Sequence, residues 1–210
     1  MNKNDSKLRI HRILPRSYSN GPGARAVIWT QGCSLNCPGC FNPETHEFES
    51  GEIISAENLF KRIEEIKDSI EGITISGGEP LEQANPLADF LSLVRKNTNL
   101  SIIVLTGFEW TEIQDAINGK LTHNPLFSRL LLNVEGVKRI IRLSDVIIAG
   151  RYKHQLRISK QLRGSSNKTI HCLTCRYTVN DFNNLPDAEI IIDKDGKLII
   201  TGINPPKIKP

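Results

Sequence analysis

Apolar positions in this chain recur with two periods, and the change from one to the other marks out its elements. After Ser55, the residues Leu59, Phe60, Ile63, Ile66 and Ile70 return at three- and four-residue steps. That spacing predicts a helix with one buried face, capped by Ser55 and running to about Ile70. Glu57 and Lys61 lie one turn apart on its outer side and predict an exposed ion pair. Residues 86–96 read as a second helix, with Leu87, Phe90, Leu91 and Val94 inward. Residues 111–118 begin a third. Between these lie short runs rich in β-branched residues, at 26–30, 72–76 and 101–105, with the length of strands. Gly21, Pro22 and Gly23 mark a turn before the first. Near the end, residues 188–193 and 197–201 flank Asp193-Lys194-Asp195-Gly196. This pattern predicts a β-hairpin with Gly196 in the left-handed position.

Strands alternating with amphipathic helices imply an α/β fold built on a parallel sheet. The chain has 210 residues, whereas an eight-unit barrel needs about 250. The expected architecture is therefore a partial, open β/α barrel with a C-terminal β-hairpin extension. Ligands in such folds bind at the carboxyl ends of the strands. Residues 1–7 read as a flexible arm and 8–150 as the barrel core. Residues 151–210 read as a basic segment and hairpin packed on the same domain. The final residues, 205–210, are expected to be extended.

Composition narrows the class. The chain is 39% hydrophobic and 24% charged, as in soluble globular proteins. No run approaches a membrane span and no leader is recognised, so a cytoplasmic protein without a membrane partner is expected. Its 5 cysteines are an odd number, which argues against a disulfide framework. The net charge of +4 is unevenly spread. Arg151, Lys153, Arg157, Lys160, Arg163 and Lys168 fall in one stretch without an acidic residue. Such a stretch suits an acidic partner or a ligand's carboxylate, or is simply solvated. Tyr152 is its one aromatic residue, so nucleic-acid binding is not expected.

The chemistry concentrates in three places. Cys33-Ser34-Leu35-Asn36-Cys37-Pro38-Gly39-Cys40 directly follows the first strand. Three thiols in one short loop can ligate three irons of a [4Fe–4S] cluster and leave one iron open. A zinc site is the alternative and needs a fourth ligand, such as His46. Gly77-Gly78-Glu79-Pro80 follows the second strand, where glycine lets backbone approach a ligand. Thr106-Gly107-Phe108 follows the third.

Together, the cysteine loop and the Gly-Gly-Glu-Pro turn resemble the radical S-adenosylmethionine superfamily. The resemblance narrows to the anaerobic ribonucleoside-triphosphate reductase activating enzymes, which are glycyl-radical enzyme activases. It is carried by the segment from Gly32 through Phe41, Asn42, Pro43, Glu44 and Thr45, with Gly39 before the third cysteine. Thr106-Gly107-Phe108, the run from Asp145 to Gly150 and Arg163-Gly164-Ser165-Ser166-Asn167 extend it. The likeness spans residues from about 9 to about 170. It implies that Cys33, Cys37 and Cys40 hold a [4Fe–4S] cluster. It further implies that Phe41, Asn42, Gly77, Gly78, Glu79, Thr106 and Gly107 surround S-adenosyl-L-methionine, with no catalytic residue beyond these ligands.

The implied function is that of an oxidoreductase that reductively cleaves S-adenosylmethionine to a 5′-deoxyadenosyl radical. That radical would place a glycyl radical on a partner such as anaerobic ribonucleotide reductase, with electrons from a flavodoxin- or ferredoxin-type reductant. Two features depart from the pattern. Ala149 stands where the family has an aspartate, and about forty residues follow Asn167.

Alternatives remain at this level. The chain could modify a small molecule or peptide, carry electrons without catalysis, or bind zinc as an interaction module. Cys172 and Cys175 read as two reduced, half-buried cysteines, a redox pair, or zinc ligands with His171 and His154. Glu79 either contacts the methionine amino group or starts a helix. Asn42 bonds a cluster sulfur or steadies the loop exit. Ser165 and Asn167 bind the ligand or cap a turn. Trp29 and Phe41 are packing residues, and Phe41 could also cover the cluster.

Overall fold

Runs of β-branched residues too short for stable helices form the centre of the computed structural model. The structure describes residues 6–121, 124–192 and 195–203. Strands β1 (Lys7–Ser17), β2 (Arg25–Thr30), β3 (Glu52–Ser55), β4 (Gly72–Gly77), β5 (Ser101–Leu105), β6 (Val146–Ala149) and β7 (Thr169–Cys172) make one sheet. Its order is β3-β1-β2-β4-β5-β6-β7. The central strands β2, β4, β5 and β6 are mutually parallel. Antiparallel strands flank them on both sides. β3 and β7 are the two edges, so the sheet is open, as the length of the chain led one to expect.

One face carries the helices α1 (Ala56–Glu64), α2 (Ala84–Asn97), α3 (Trp110–Ile117), α4 (Ser128–Leu132) and α5 (Val134–Leu143). Ile28, Ile73, Ile75, Ile102 and Val104 meet Leu59, Ile63, Leu87, Phe90, Leu91 and Ile140 there. Each such buried side chain contributes about 1.5–3 kcal/mol. On the opposite face, Ile103, Val146 and Ile148 pack on Leu162 and Phe182. The central strands are thus covered on both sides, which is why they read as unbroken apolar runs.

The expected helices form, with changes at their ends. Ser55 caps α1 by accepting from the Asn58 N–H. The helix stops at Glu64 rather than near Ile70, because Ile66 leaves helical geometry (φ −114°, ψ 1°) and a single 3-10 turn follows at Lys67–Ser69. Ile70 is still buried. Among the described residues no ion pair joins Glu57 to Lys61; Arg62 pairs with Glu52 instead. Two residues of the arm expected over 1–7, Ser6 and Lys7, are held in the fold. The Ser6 hydroxyl donates to Asp89 at 2.6 Å, and Lys7 opens β1 opposite Ser55. Residues 1–5 and 204–210 lie outside the described residues.

The C-terminal hairpin forms from β8 (Ala188–Ile192) and β9 (Leu198–Gly202), with Gly196 at φ +78°. Residues 193 and 194 of its turn lie outside the described residues. The inner face sets Ile191 and Ile199 on Leu14, Val27 and Trp29. Glu189 accepts from the Tyr18 N–H at 3.0 Å, and Asn20 donates to Thr201 at 3.0 Å. No described helix is long and apolar enough to cross a membrane.

Asp145 ties the far side of the sheet together. Its carboxylate accepts from Arg95 at 2.6 Å, from the Ile102 N–H at 2.8 Å and from Thr174 at 2.8 Å. Burial opposes the charge, but these bonds outweigh it and hold the carboxyl below its usual value. A lowered folded value adds stability that is complete above the unfolded pKa, at about 4, and is lost as pH falls through the folded one. Asp145→Asn is therefore expected to melt several degrees below wild type at neutral pH. The gap should shrink below about pH 4. A gap independent of pH would assign the effect to packing rather than to charge.

Candidate functional site

The carboxyl ends of the four parallel strands open on one rim. β2 leads into the cysteine loop, β4 into Gly78-Glu79, β5 into Thr106-Gly107 and β6 into Gly150 and the basic stretch. All ten residues expected around the ligands line one cavity of about 360 Å³. These are Cys33, Cys37, Cys40, Phe41, Asn42, Gly77, Gly78, Glu79, Thr106 and Gly107.

Backbone hydrogen bonds explain how they come together. The loop is tied at its base by Gly32 N–H to Thr45 O (2.8 Å) and Cys33 N–H to His46 O (3.1 Å). Cys40 N–H closes a turn on Cys37 O at 3.1 Å. Asn36 holds φ +43°, a left-handed conformation that Asn adopts more readily than most residues. Gly78 N–H donates to Thr30 O at 2.8 Å and Glu79 N–H to Gly32 O at 2.9 Å, which stitches the glycine turn to the cysteine loop. A Cβ on Gly78 would lie 2.3 Å from Gly32 O, a distance no side chain tolerates. Asn42 steadies the loop exit through its backbone: its carbonyl accepts from the Thr45 hydroxyl at 2.7 Å.

Glu79 joins two of the rim turns. It is 1% exposed. One carboxylate oxygen accepts from Leu81 N–H (2.9 Å) and the Thr106 hydroxyl (2.7 Å); the other accepts from Gly107 N–H at 2.7 Å. Burial pushes its pKa up to about 7 against these bonds. It also caps the short helical turn Pro80–Gln83, so a starting role for that helix is realised.

Burial and the nearby Glu79 carboxylate push the Cys33 thiol up to about 12, and burial raises Cys40. The three thiols are free and half-buried. His46 lines the same cavity. Among the described residues, however, no three His, Cys, Asp or Glu side chains gather as a ready metal-ligand group. None of Cys172, Cys175, His171 and His154 lines the cavity. Cys172 is half-buried in β7, Cys175 is exposed, and the His171 ring stacks on Trp110 at 4.0 Å.

Ser165 and Asn167 do not line the cavity. Asn167 donates to Arg151 O at 2.8 Å, and Ser165 O accepts from Lys168 N–H at 3.2 Å, so both build the turn. Lys168 does line the cavity, beside Tyr152, Arg163 and Gly164. Burial lowers the pKa of its ammonium, while Glu79, Cys37, Cys40 and Glu109 favour its charge. Reading the sequence placed Lys168 only within a basic stretch; its position directly after Arg-Gly-Ser-Ser-Asn was the available signal. The hairpin also reaches the cavity, through Ile200, Thr201 and Gly202.

Residues 19–171 match the 4Fe-4S single cluster domain. The anaerobic ribonucleoside-triphosphate reductase-activating protein of Salmonella typhi is 29% identical over 174 residues, 79% of this chain and 99% of that one. The protein of the same description from Enterobacteria phage T4 is 27% identical over 167 residues, 78% and 93% of the two chains. The pyruvate formate-lyase-activating enzyme of Clostridium pasteurianum is 34% identical over 113 residues, 52% of this chain and 48% of that enzyme.

The residues present fit the cluster that this domain is named for. Three cysteines of one short loop supply soft donors of the type that binds iron–sulfur clusters. The raised thiols of Cys33 and Cys40 mean that metal would enter there by displacing protons, as thiolate ligation requires. With a match over most of its length and a donor set of the right chemistry, the chain belongs to the 4Fe-4S single cluster domain family.

Proposed function

We propose that this protein is a radical S-adenosylmethionine activase that generates a glycyl radical on a partner enzyme such as anaerobic ribonucleoside-triphosphate reductase. The observation that carries the reading is the convergence of the three thiols, the Gly77-Gly78 turn and the Thr106-Gly107 turn on one cavity. The relatives named as reductase-activating proteins, matched over nearly their whole length, support it. In this reading Cys33, Cys37 and Cys40 are the cluster ligands. The chemistry supplied by the bound cluster is one electron to the sulfonium of S-adenosylmethionine, giving methionine and a 5′-deoxyadenosyl radical that takes a glycine hydrogen.

The chain's own contribution is positioning and exclusion of water. Gly77 and Gly78 let this turn pack directly on the backbone of Thr30 and Gly32, where a Cβ would clash, and so bring it to the edge of the cysteine loop. Glu79 keeps the two ligand-facing turns at a fixed separation. Phe41, packed on Tyr152 at 4.7 Å, shields the thiols from solvent. Lys168 offers a cation for the ligand's carboxylate. The open sheet leaves room for a polypeptide loop. The protein acts in the cytoplasm, with electrons from a flavodoxin- or ferredoxin-type donor.

The test is anaerobic reconstitution with iron and sulfide, reduction, and chromatography for 5′-deoxyadenosine with and without the purified reductase. Formation of 5′-deoxyadenosine together with a glycyl-radical signal on the reductase is expected. A loaded, reducible cluster that gives neither product would overturn the reading.

A further inference from the structure

We propose that the exposed loop 153–160, seated on the cysteine loop, is the docking face for an acidic protein that delivers single electrons to the site. This rests on the cluster reading above and assigns its electron supply to a surface.

The basic loop and the cysteine loop are packed together. The His154 ring abuts Gly39: a Cβ there would sit 3.2 Å from His154 Nδ1. Tyr152 packs on Phe41 with ring centroids 4.7 Å apart, and the Arg157 guanidinium lies 4.8 Å from the centre of the same ring. Gly164 closes on Phe41 as well. The segment itself is compact. Leu156 N–H bonds Lys153 O, Ile158 N–H bonds Gly164 O, and Arg157 bridges Ser165 across a short antiparallel turn. Lys153, His154, Arg157 and Lys160 are exposed on it, with Leu156 42% exposed among them.

This face differs from the mouth of the cavity. Pro38 and Gly39 are exposed, and neither they nor Lys153, Leu156, Arg157 or Lys160 line the cavity. Cys37 and Cys40 flank Pro38-Gly39 directly, so here the thiols come closest in sequence to exposed backbone. A protein substrate whose glycine must enter the cavity would approach the mouth. An electron donor needs proximity to the thiols and no admission to the cavity. An apolar residue among cations matches the surfaces of small, transient redox encounters.

The charge balance favours an acidic visitor. Residues 151–168 contain no Asp or Glu. Of the nearby carboxylates, Glu112 is paired with Arg151 at 2.6 Å and Glu109 accepts from the Arg151 N–H at 3.3 Å. Glu44, Glu47 and Glu49 are exposed anions in the segment after the cysteine loop, the last paired with Arg9 at 3.7 Å. In the transfer one electron leaves the donor's reduced flavin, which goes from hydroquinone to semiquinone, and enters the oxidised cluster. No bond is made or broken.

The test uses the reconstituted holoprotein and flavodoxin as the probe. Lys153→Glu/Lys160→Glu is compared with wild type and with Lys61→Glu/Lys96→Glu, which alters net charge equally at exposed positions on α1 and α2. Flavodoxin binding is measured by calorimetry at two salt concentrations. Cluster reduction by reduced flavodoxin and by dithionite is followed by electron paramagnetic resonance. The double variant in the loop is expected to bind flavodoxin about tenfold more weakly at low salt and to lose most of the salt dependence. Its reduction by flavodoxin should slow in proportion, while reduction by dithionite stays at the wild-type rate.

Unchanged binding overturns the proposal. So does an equal loss in the Lys61→Glu/Lys96→Glu control, which would make the effect one of bulk charge. Impaired reduction by dithionite overturns it too, because the loop would then be holding the cluster rather than a donor. Loss of reductase binding with flavodoxin binding intact would reassign the face to the protein substrate. Binding and reduction need no cleavage of S-adenosylmethionine. A chain that docks flavodoxin and reduces its cluster without forming 5′-deoxyadenosine would therefore sink the activase reading and leave the docking face standing.

Discussion

Cys37→Ala is expected to abolish the cluster and the cleavage of S-adenosylmethionine together. Three thiols are the minimum that can hold a cube by three corners, and the variant leaves two. The reconstituted variant should lack the brown iron–sulfur absorbance and form no measurable 5′-deoxyadenosine. The fold should survive. Cys37 is half-buried in a loop, and such a position changes stability by only about 0.5 kcal/mol. A melting curve close to wild type, with activity gone, is the pattern that assigns the residue to ligation. Retention of a cluster and of cleavage would mean that a different donor, His46 in the same cavity being the nearest candidate by position, completes the set.

Arg25→Met should produce the largest loss of stability. Arg25 is wholly buried at the start of β2. Its guanidinium donates to Thr74 (2.8 Å), Pro22 O (3.0 Å), the Ser101 hydroxyl (2.9 Å) and Ile73 O (2.7 Å). These donors bind β2 to β4 and β5 across the sheet. Burial lowers its pKa, but a guanidinium stays charged in proteins. Removing it strands buried carbonyl and hydroxyl oxygens that cannot reach water. A loss of about 3–5 kcal/mol follows, which at this chain length lowers the melting temperature by about 10 °C or more. Arg25→Lys should rescue little of it, because one ammonium cannot reach the partners spread over the guanidinium fork. A variant that melts within two degrees or so of wild type would show that solvent fills the space.

The site was more legible than the frame around it. Cys33, Gly78 and Thr106 each come just after a strand that reads as an apolar run, and a parallel sheet gathers such turns at one rim by construction. β1 was not foreseen, because its register shifts between Ile10 and Arg12 and again between Leu14 and Ser17. Those irregularities break the alternation that a strand reading needs. β3 is only four residues long and pairs with β1 alone at an edge, so it carries little apolar signal. α5 contains Gly136, which reads as a helix breaker. In the fold it is what lets α5 approach α2, since a Cβ would lie 2.4 Å from the Ala84 carbonyl carbon. Lys168 and the hairpin residues reach the cavity through tertiary contacts between distant segments, which no local pattern encodes.

The carboxylate of Glu79 spans from the end of β4 to the end of β5, and so it measures the cleft as well as bracing it. The backbone bonds at that end of the sheet run from Gly78 to Thr30 and from Thr106 to Ile148, each toward an outer neighbour. Between β4 and β5 the register stops at Ile75 and Val104, before the turns begin. Past that point the gap is set by the reach of one side chain. An aspartate there would fall short by one carbon–carbon bond, about 1.5 Å. The spacing of the two turns is thus written in the length of a single residue, which couples two short loops that share no ladder bonds.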